Sequence, residues 1–191
     1  NMPLRAASLG RALPDTRWDT LQIYRRLRWG RLAHLHLLDS RQYRSWQACR
    51  APGSTGASAV RATDCADLAD PARSLLGAEQ EQWLNAGLAA DARAQDATRW
   101  SVIAQQTLFS HRHYPSGLVS TDSWSGYPAA RERLLQAMAR HAPRNTVLLG
   151  GDIHQNYVCE VRADAQRPNS PLLASEFCGT SISSHSGTTQ D

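Results

Sequence analysis

The stretch Val147 to Asn156, VLLGGDIHQN, sets an apolar run against two glycines and then places Asp152 and His154 two residues apart. A short apolar run closed by turn residues reads as a buried strand of a layered α/β protein. Residues just past the carboxyl end of such a strand stand in the crevice where α/β proteins bind ligands. A carboxylate and an imidazole there could be metal ligands, an acid/base pair or a capped turn. In an extended segment the D-x-H spacing points both side chains the same way, toward one ion or two adjacent ions. Carboxylate and imidazole are the donors that hard and borderline metals take. Gly150 and Gly151 are then expected because a ligand bound at the strand end approaches too closely for a Cβ.

The flanking chain supplies further elements of the same kind. Residues 145–151 are preceded by AARERLLQAMARH, a helix that Pro128 opens as its first residue. They are followed by strands in NYVCEVRA and PLLASEF, with a loop around Pro168 and Asn169 between them. Upstream, RWSVIAQQTLFS reads as a buried strand that runs into the loop HRHYPSGLVSTDSWSGY. LGAEQEQWLNAGLAA is a helix with Trp83, Leu84 and Leu88 on one face. LQIYRRLRWGRLAHLHLLDSRQYR reads as a β-hairpin turning near Gly30-Arg31. In its second arm Leu32, His34, His36 and Leu38 face one way, and Ala33, Leu35 and Leu37 the other. Residues 50–72 form a polar loop, and the ending CGTSISSHSGTTQD is irregular. Strands and helices alternate in the middle, with hairpins at both ends. The fold class is α/β, layered and mixed.

Composition narrows the function classes. At 191 residues the chain is one domain or a large part of a bigger one. All 21 basic residues are arginine, and the 17 acids are dispersed among them, so there is no basic block of the kind that binds nucleic acid. No apolar stretch approaches the ~20 residues of a membrane span, and no signal-peptide pattern opens the chain. The four cysteines form no C-x-x-C pair, which argues against a structural zinc site of that type. Cys49 and Cys65 flank a Gly/Ser/Ala-rich loop. They read either as a disulfide suited to an oxidising compartment or as two unpaired loop cysteines.

Other candidate sites carry less. His111 and His113 follow a strand end at H-x-H spacing and read first as a solvated loop. His34 and His36 share a strand face among leucines and read first as packing histidines. No G-x-S-x-G supports a serine nucleophile, no P-loop is present, and no cysteine has an evident histidine partner.

Several separated stretches together resemble the PhoD-like (alkaline phosphatase D) family of metallophosphoesterases. They are NMPLR, IYRRLRWGRLAHLHLLDSRQYR, LLGAEQEQWL, WSVIAQQTLFS, DSWSGYPAARERLL, NTVLLGGDIHQN and SEFCGTSISS, in the family's order and across nearly the whole chain. Ser125 departs from the family, which more often has an acid there. The segment around Cys65 falls in a variable region of the family.

The resemblance implies the second half of a four-layer αββα metallophosphoesterase sandwich, spanning residues 1–191, with metals in the cleft at the strand ends. It implies Asp152 as a metal ligand of a dinuclear or larger centre, and His154 as a ligand or a phosphate-facing catalytic group. Calcium and iron are the implied metals, and metal-dependent hydrolysis of phosphate monoesters or diesters is the implied activity, in an exported (periplasmic or secreted) protein. In such a protein Cys49 and Cys65 are expected to pair. Arg41 is a candidate for bidentate phosphate binding, with a salt bridge to a neighbouring acid as the alternative. Asp122 and Tyr127 lie in a family-typical loop, with structure and substrate both open as their role.

The family's early aspartate, cysteine-type ligand and G-N-H-type turn are expected upstream of NMPLR, so the chain reads as the carboxyl-terminal part of such an enzyme. On that reading its partners are a phosphate-ester substrate and the missing amino-terminal segment. The rival reading is a non-catalytic remnant, a half-domain that needs that segment.

Overall fold

The computed structural model describes residues 22–53, 59–93, 98–112, 114–141, 143 and 145–182. The expected hairpin forms from β1 (Arg25–Trp29) and β2 (Ala33–Leu37), antiparallel about the turn at Gly30. β3 (Ala59–Arg61) follows, then α1 (Ala78–Arg93), β4 (Trp100–Ala104), β5 (Leu118–Ser120), α2 (Pro128–His141), β6 (Thr146–Gly150), β7 (Tyr157–Arg162) and β8 (Leu172–Cys178). Six strands make one sheet in the order β1-β2-β4-β6-β8-β7. Its four inner strands are parallel, and β1 and β7 pair antiparallel on the two edges. β3 and β5 pair separately, where only loop was expected. Strands of three residues are too short to show an alternation.

Local chemistry explains the helix starts. Ser74 Oγ accepts from the backbone N–H of Leu76 and Gly77, at 3.1 and 2.7 Å, just ahead of α1. Gly77 takes φ +75°, and a Cβ there would stand 2.9 Å from that of Tyr43, so glycine is required on both counts. Pro128 is the first residue of α2, and Arg140 and His141 lie in its last turn, where positive charge suits the helix dipole.

Both helices cover one face of the sheet. Leu84 and Leu88 of α1 and Leu134, Leu135 and Met138 of α2 share one core with Ile103, Leu148, Val161 and Ala174 of the strands. Trp83 packs against its margin. The opposite face has different neighbours. The registered row Leu37, Ala104, Leu149, Phe177 and Val158 lies there, and Leu149, Phe177 and Val158 are 40%, 47% and 76% exposed. A sheet apolar on both faces is built to be covered on both.

Cys49 and Cys65 form a disulfide with Cα atoms 5.9 Å apart, closing the loop between them. Cys159 and Cys178 are free thiols. Among the described residues no helix is long and apolar enough to cross a membrane.

Candidate functional site at the carboxyl ends of the parallel strands

Because β2, β4, β6 and β8 run the same way, the segments that follow them gather at one edge. The ladder continues into those segments: Leu38 N–H donates to Ala104 O, Gln105 N–H to Leu149 O, and Gly179 N–H to Gly150 O, at 2.9 to 3.1 Å. Leu38-Asp39-Ser40-Arg41, Gln105-Gln106 and Gly151-Asp152 therefore lie side by side.

The turn after β2 is fixed from several directions. The buried Asp39 carboxylate accepts the backbone N–H of Arg41 at 2.9 Å and that of Gln42 at 3.0 Å. Gln80 of α1 clasps the backbone of Asp39 through two 2.8 Å hydrogen bonds. Gln106 bonds the carbonyl of Leu38 at 2.6 Å and the N–H of Ser40 at 2.8 Å. Such backing holds the root of Arg41 in one place, as a binding residue needs.

From there the Arg41 guanidinium spans two carboxylates. One nitrogen lies 2.8 Å from Asp122 and the other 2.5 Å from Asp152. Asp122 also receives Arg44 at 2.5 Å and Gln47 at 3.3 Å. Burial opposes the charge on Arg41, but its hydrogen bonds and charge pairing with Asp122 and Asp152 raise its pKa above the ordinary arginine value. Burial also opposes ionisation of Asp122, and the bonds and charges of Arg41 and Arg44 outweigh it, holding that carboxyl below the usual range. Tyr127 is fully buried and donates its hydroxyl to Ser45 O at 2.7 Å, which gives it a structural task.

Asp152 and His154 are brought to this edge, but not by an extended segment. Both have left-handed backbones, φ +70° and +58°. Ile153 N–H donates to Gly151 O at 2.9 Å, closing a tight three-residue turn around Asp152. Strand alternation therefore does not govern where the two side chains point. Left-handed φ at two non-glycine residues, two positions apart, is costly and concentrates at functional sites. The Asp152 side chain is 49% exposed, and His154 is half-buried.

Of the two glycines ahead of them, Gly150 has a reason other than the expected one. A Cβ on Gly150 would come 2.3 Å from Thr107 O, whereas one on Gly151 would meet nothing closer than 3.9 Å. Gly150 is thus required by the loop after β4, within the protein's own packing. The last strand is tied to the same turn, since Thr180 N–H donates to Asn156 at 2.9 Å.

The edge can hold a cation and an anion close together. Asp152 and His154 are an oxygen and a nitrogen donor of the types metals take, and Arg41 is a fork suited to phosphate. Two donors fit a metal but do not complete its shell. Among the described residues, three or more His, Cys, Asp or Glu donors converge only elsewhere, at His34, His36 and Asp91.

That second cluster gives the histidines read as packing residues a shared carboxylate partner. His34 Nδ1 lies 2.6 Å from one oxygen of Asp91, and His36 Nε2 lies 2.8 Å from the other. Sequence reasoning missed Asp91, as it missed the role of Asp122, because each partner lies more than fifty residues away in the chain. Their only local signal was an aspartate in the last turn of a helix, and for Asp122 the loop it occupies. His111 sits by Ser125, 3.3 Å from its hydroxyl. His113 and the NMPLR segment lie outside the described residues.

Three comparisons bear on this arrangement. The family model described as "PhoD-like phosphatase" matches residues 1–191. "Alkaline phosphatase D" of Bacillus subtilis (strain 168) is 36% identical over 187 residues, which cover 96% of this chain and 29% of that protein. A solved structure titled "Structure of PhoD" is 35% identical with a TM-score of 0.73, and the match covers 96% of this chain and 32% of that one. The chain spans less than a third of the length of either relative.

Proposed function

Since the chain belongs to the PhoD-like phosphatase family, we propose that its Asp152 edge is one wall of a metal-dependent phosphoesterase centre. The substrates are phosphate monoesters, diesters or both. The carrying observation is the ion pair, past the ends of the parallel strands, between Asp152 on left-handed backbone and an anchored Arg41, with His154 two residues farther along the same turn.

In this reading Asp152 and His154 hold metal. Metal ions held there, calcium and iron by the family resemblance, would supply Lewis-acid activation of the phosphate ester and of the attacking water. The chain's own residues do the rest. Arg41, kept in place by Asp122 and by the turn at Asp39, presents its guanidinium to the phosphoryl oxygens. Arg44 balances Asp122 so that Arg41 is not tied up by a lone carboxylate. Where His154 is not a metal ligand, it faces those oxygens and steadies the charge that builds on them. Asp152 now shares its carboxylate with Arg41. With a cation held on that carboxylate, the guanidinium nitrogen facing it would be free for phosphate.

The rest of the centre comes from the part of the family's length that this chain does not span. The bare apolar face, with Leu149, Phe177 and Val158, supports a second sheet packed against the first, as in a four-layer sandwich. The Cys49–Cys65 disulfide supports an exported protein. A non-catalytic half-domain is the alternative.

The test uses p-nitrophenyl phosphate and bis(p-nitrophenyl) phosphate with added divalent and ferric ions. Protein spanning the relatives' full length is expected to turn over at least one of them and to lose activity to a chelator. The 191-residue chain is expected to show little turnover. Robust metal-dependent turnover by the chain, abolished by Asp152→Ala, would mean that it supplies more of the centre than is assigned here.

A further inference from the structure

Away from the strand-end edge, β2 and α1 meet through polar groups rather than leucines. His34 and His36 stand two residues apart on β2 and both face the helix, their rings 4.6 Å apart at the centroids. Asp91 comes down from the last turn of α1 and places one oxygen against each imidazole. One donor atom from each residue lies within 4.8 Å of the other two. Two imidazoles and a carboxylate, with H-x-H on a strand, form a donor set of the kind zinc takes.

Electrostatics point the same way. Asp91 lies in the last helical turn, where the helix dipole already carries partial negative charge. The carboxylate there is countered by two imidazoles that are uncharged when deprotonated. The nearby positive group is Arg26, paired with His36 in the strand register and stacked on Trp83, 4.0 Å from the ring centroid. His36 is fully buried, with its Nδ1 free of any hydrogen-bond partner. A cation on Nε2 fixes the tautomer with the proton on Nδ1. The Ser101 hydroxyl, also buried and unpartnered, lies on the neighbouring strand, level with His34. The His34 and Asp91 side chains are 15% and 11% exposed, enough for a solvent ligand to complete a fourth position.

We propose that His34, His36 and Asp91 form a second metal site, of zinc type, that pins the end of α1 to β2. It is separate from the strand-end edge and does not depend on the phosphatase reading. Its ligands move apart slightly on loading. The 2.6 and 2.8 Å contacts are hydrogen-bond distances, whereas donors around a tetrahedral zinc with bonds of about 2.0–2.1 Å sit about 3.3 Å apart.

The test loads the full chain with Co2+, then with Zn2+, after stripping with a chelator. The visible cobalt spectrum reports site geometry, elemental analysis reports stoichiometry, and circular dichroism confirms folding. One equivalent is expected, with the strong bands of a low-coordinate nitrogen/oxygen site that zinc displaces. His34→Gln and Asp91→Asn should each lose both bands and metal, and Asp152→Asn should keep them. If Asp91→Asn does not fold, His34→Gln decides alone, because that side chain is partly exposed. A folded wild-type chain without stoichiometric uptake overturns the site and leaves a hydrogen-bonded His-Asp-His latch. Bands that persist in His34→Gln, or that vanish only in Asp152→Asn, overturn it equally.

Discussion

Two carboxylate clusters in this chain solve the same problem in opposite ways. At the strand-end edge, Asp152 and Asp122 share a cation that the chain supplies, Arg41. Under α1, Asp91 is held by two imidazoles, which carry charge only when protonated, with Arg26 as the fixed cation nearby. The first cluster is open, with Asp152 half-exposed on a left-handed backbone. The second is mostly enclosed between a regular strand and a regular helix. Strain and exposure mark where a ligand can be met and released. Burial on regular backbone marks where polar groups hold two elements together. Proximity of like residues did not separate the two: H-x-H and D-x-H are both short spacings, and the backbone beneath them made the difference.

If that contrast is right, the two aspartates fail differently. Asp152→Ala in the full-length protein should lower kcat by more than about 100-fold, beyond the usual cost of losing a partner that only supports a metal ligand. Its folding stability should change by less than about 1 kcal/mol, as for an exposed ion pair. Steady-state kinetics and urea unfolding check both halves.

Asp91→Ala should do the reverse. Studied with chelator present, it should cost roughly 1–3 kcal/mol, because two largely buried imidazoles lose their acceptor. Phosphatase activity of the full-length variant should stay within about twofold at a temperature where it remains folded. Activity lost in parallel with stability would erase the distinction between the clusters.

Asp122 stands between these extremes, and Asp122→Asn is expected to cost about 1–2 kcal/mol. Its carboxyl has a depressed pKa in the folded protein. Its stabilisation is therefore fully present above the unfolded value and is lost as pH falls through the folded one. Unfolding midpoints of wild type and Asp122→Asn should thus keep a constant gap above about pH 5, the gap closing in stronger acid. A gap that widens on acidification would place the ion pair elsewhere.

Legibility in the sequence followed the range of the forces involved. β6 and α2 were visible because an apolar run and a proline at the first helical position are local signals. The β1–β2 hairpin was visible for the same reason, its turn carried by Gly30. β3 and β5 were hidden in loop sequence because three residues pair only through tertiary contact. Asp152 and Arg41 were visible as types at strand ends, but the turn that rotates Asp152 was not. The packing of Gly150 on Thr107, more than forty residues away in the chain, was equally hidden. The pairing of Asp91 with His34 and His36 could not be read at all, since it depends on which face of α1 lands on β2. The histidines' spacing was plain, and the missing knowledge was the third group.

Metal on Asp152 with Arg41 turned to phosphate is the arrangement proposed for the loaded edge. Anomalous diffraction from crystals of the full-length protein grown with metal and inorganic phosphate tests it. An anomalous peak is expected bonded to the Asp152 carboxylate, at about 2.0–2.6 Å. The Arg41 nitrogen that now lies 2.5 Å from Asp152 should have moved onto a phosphate oxygen, with the Asp122 contact kept. Metal bound elsewhere, with the Arg41–Asp152 pair intact in the loaded protein, would contradict it.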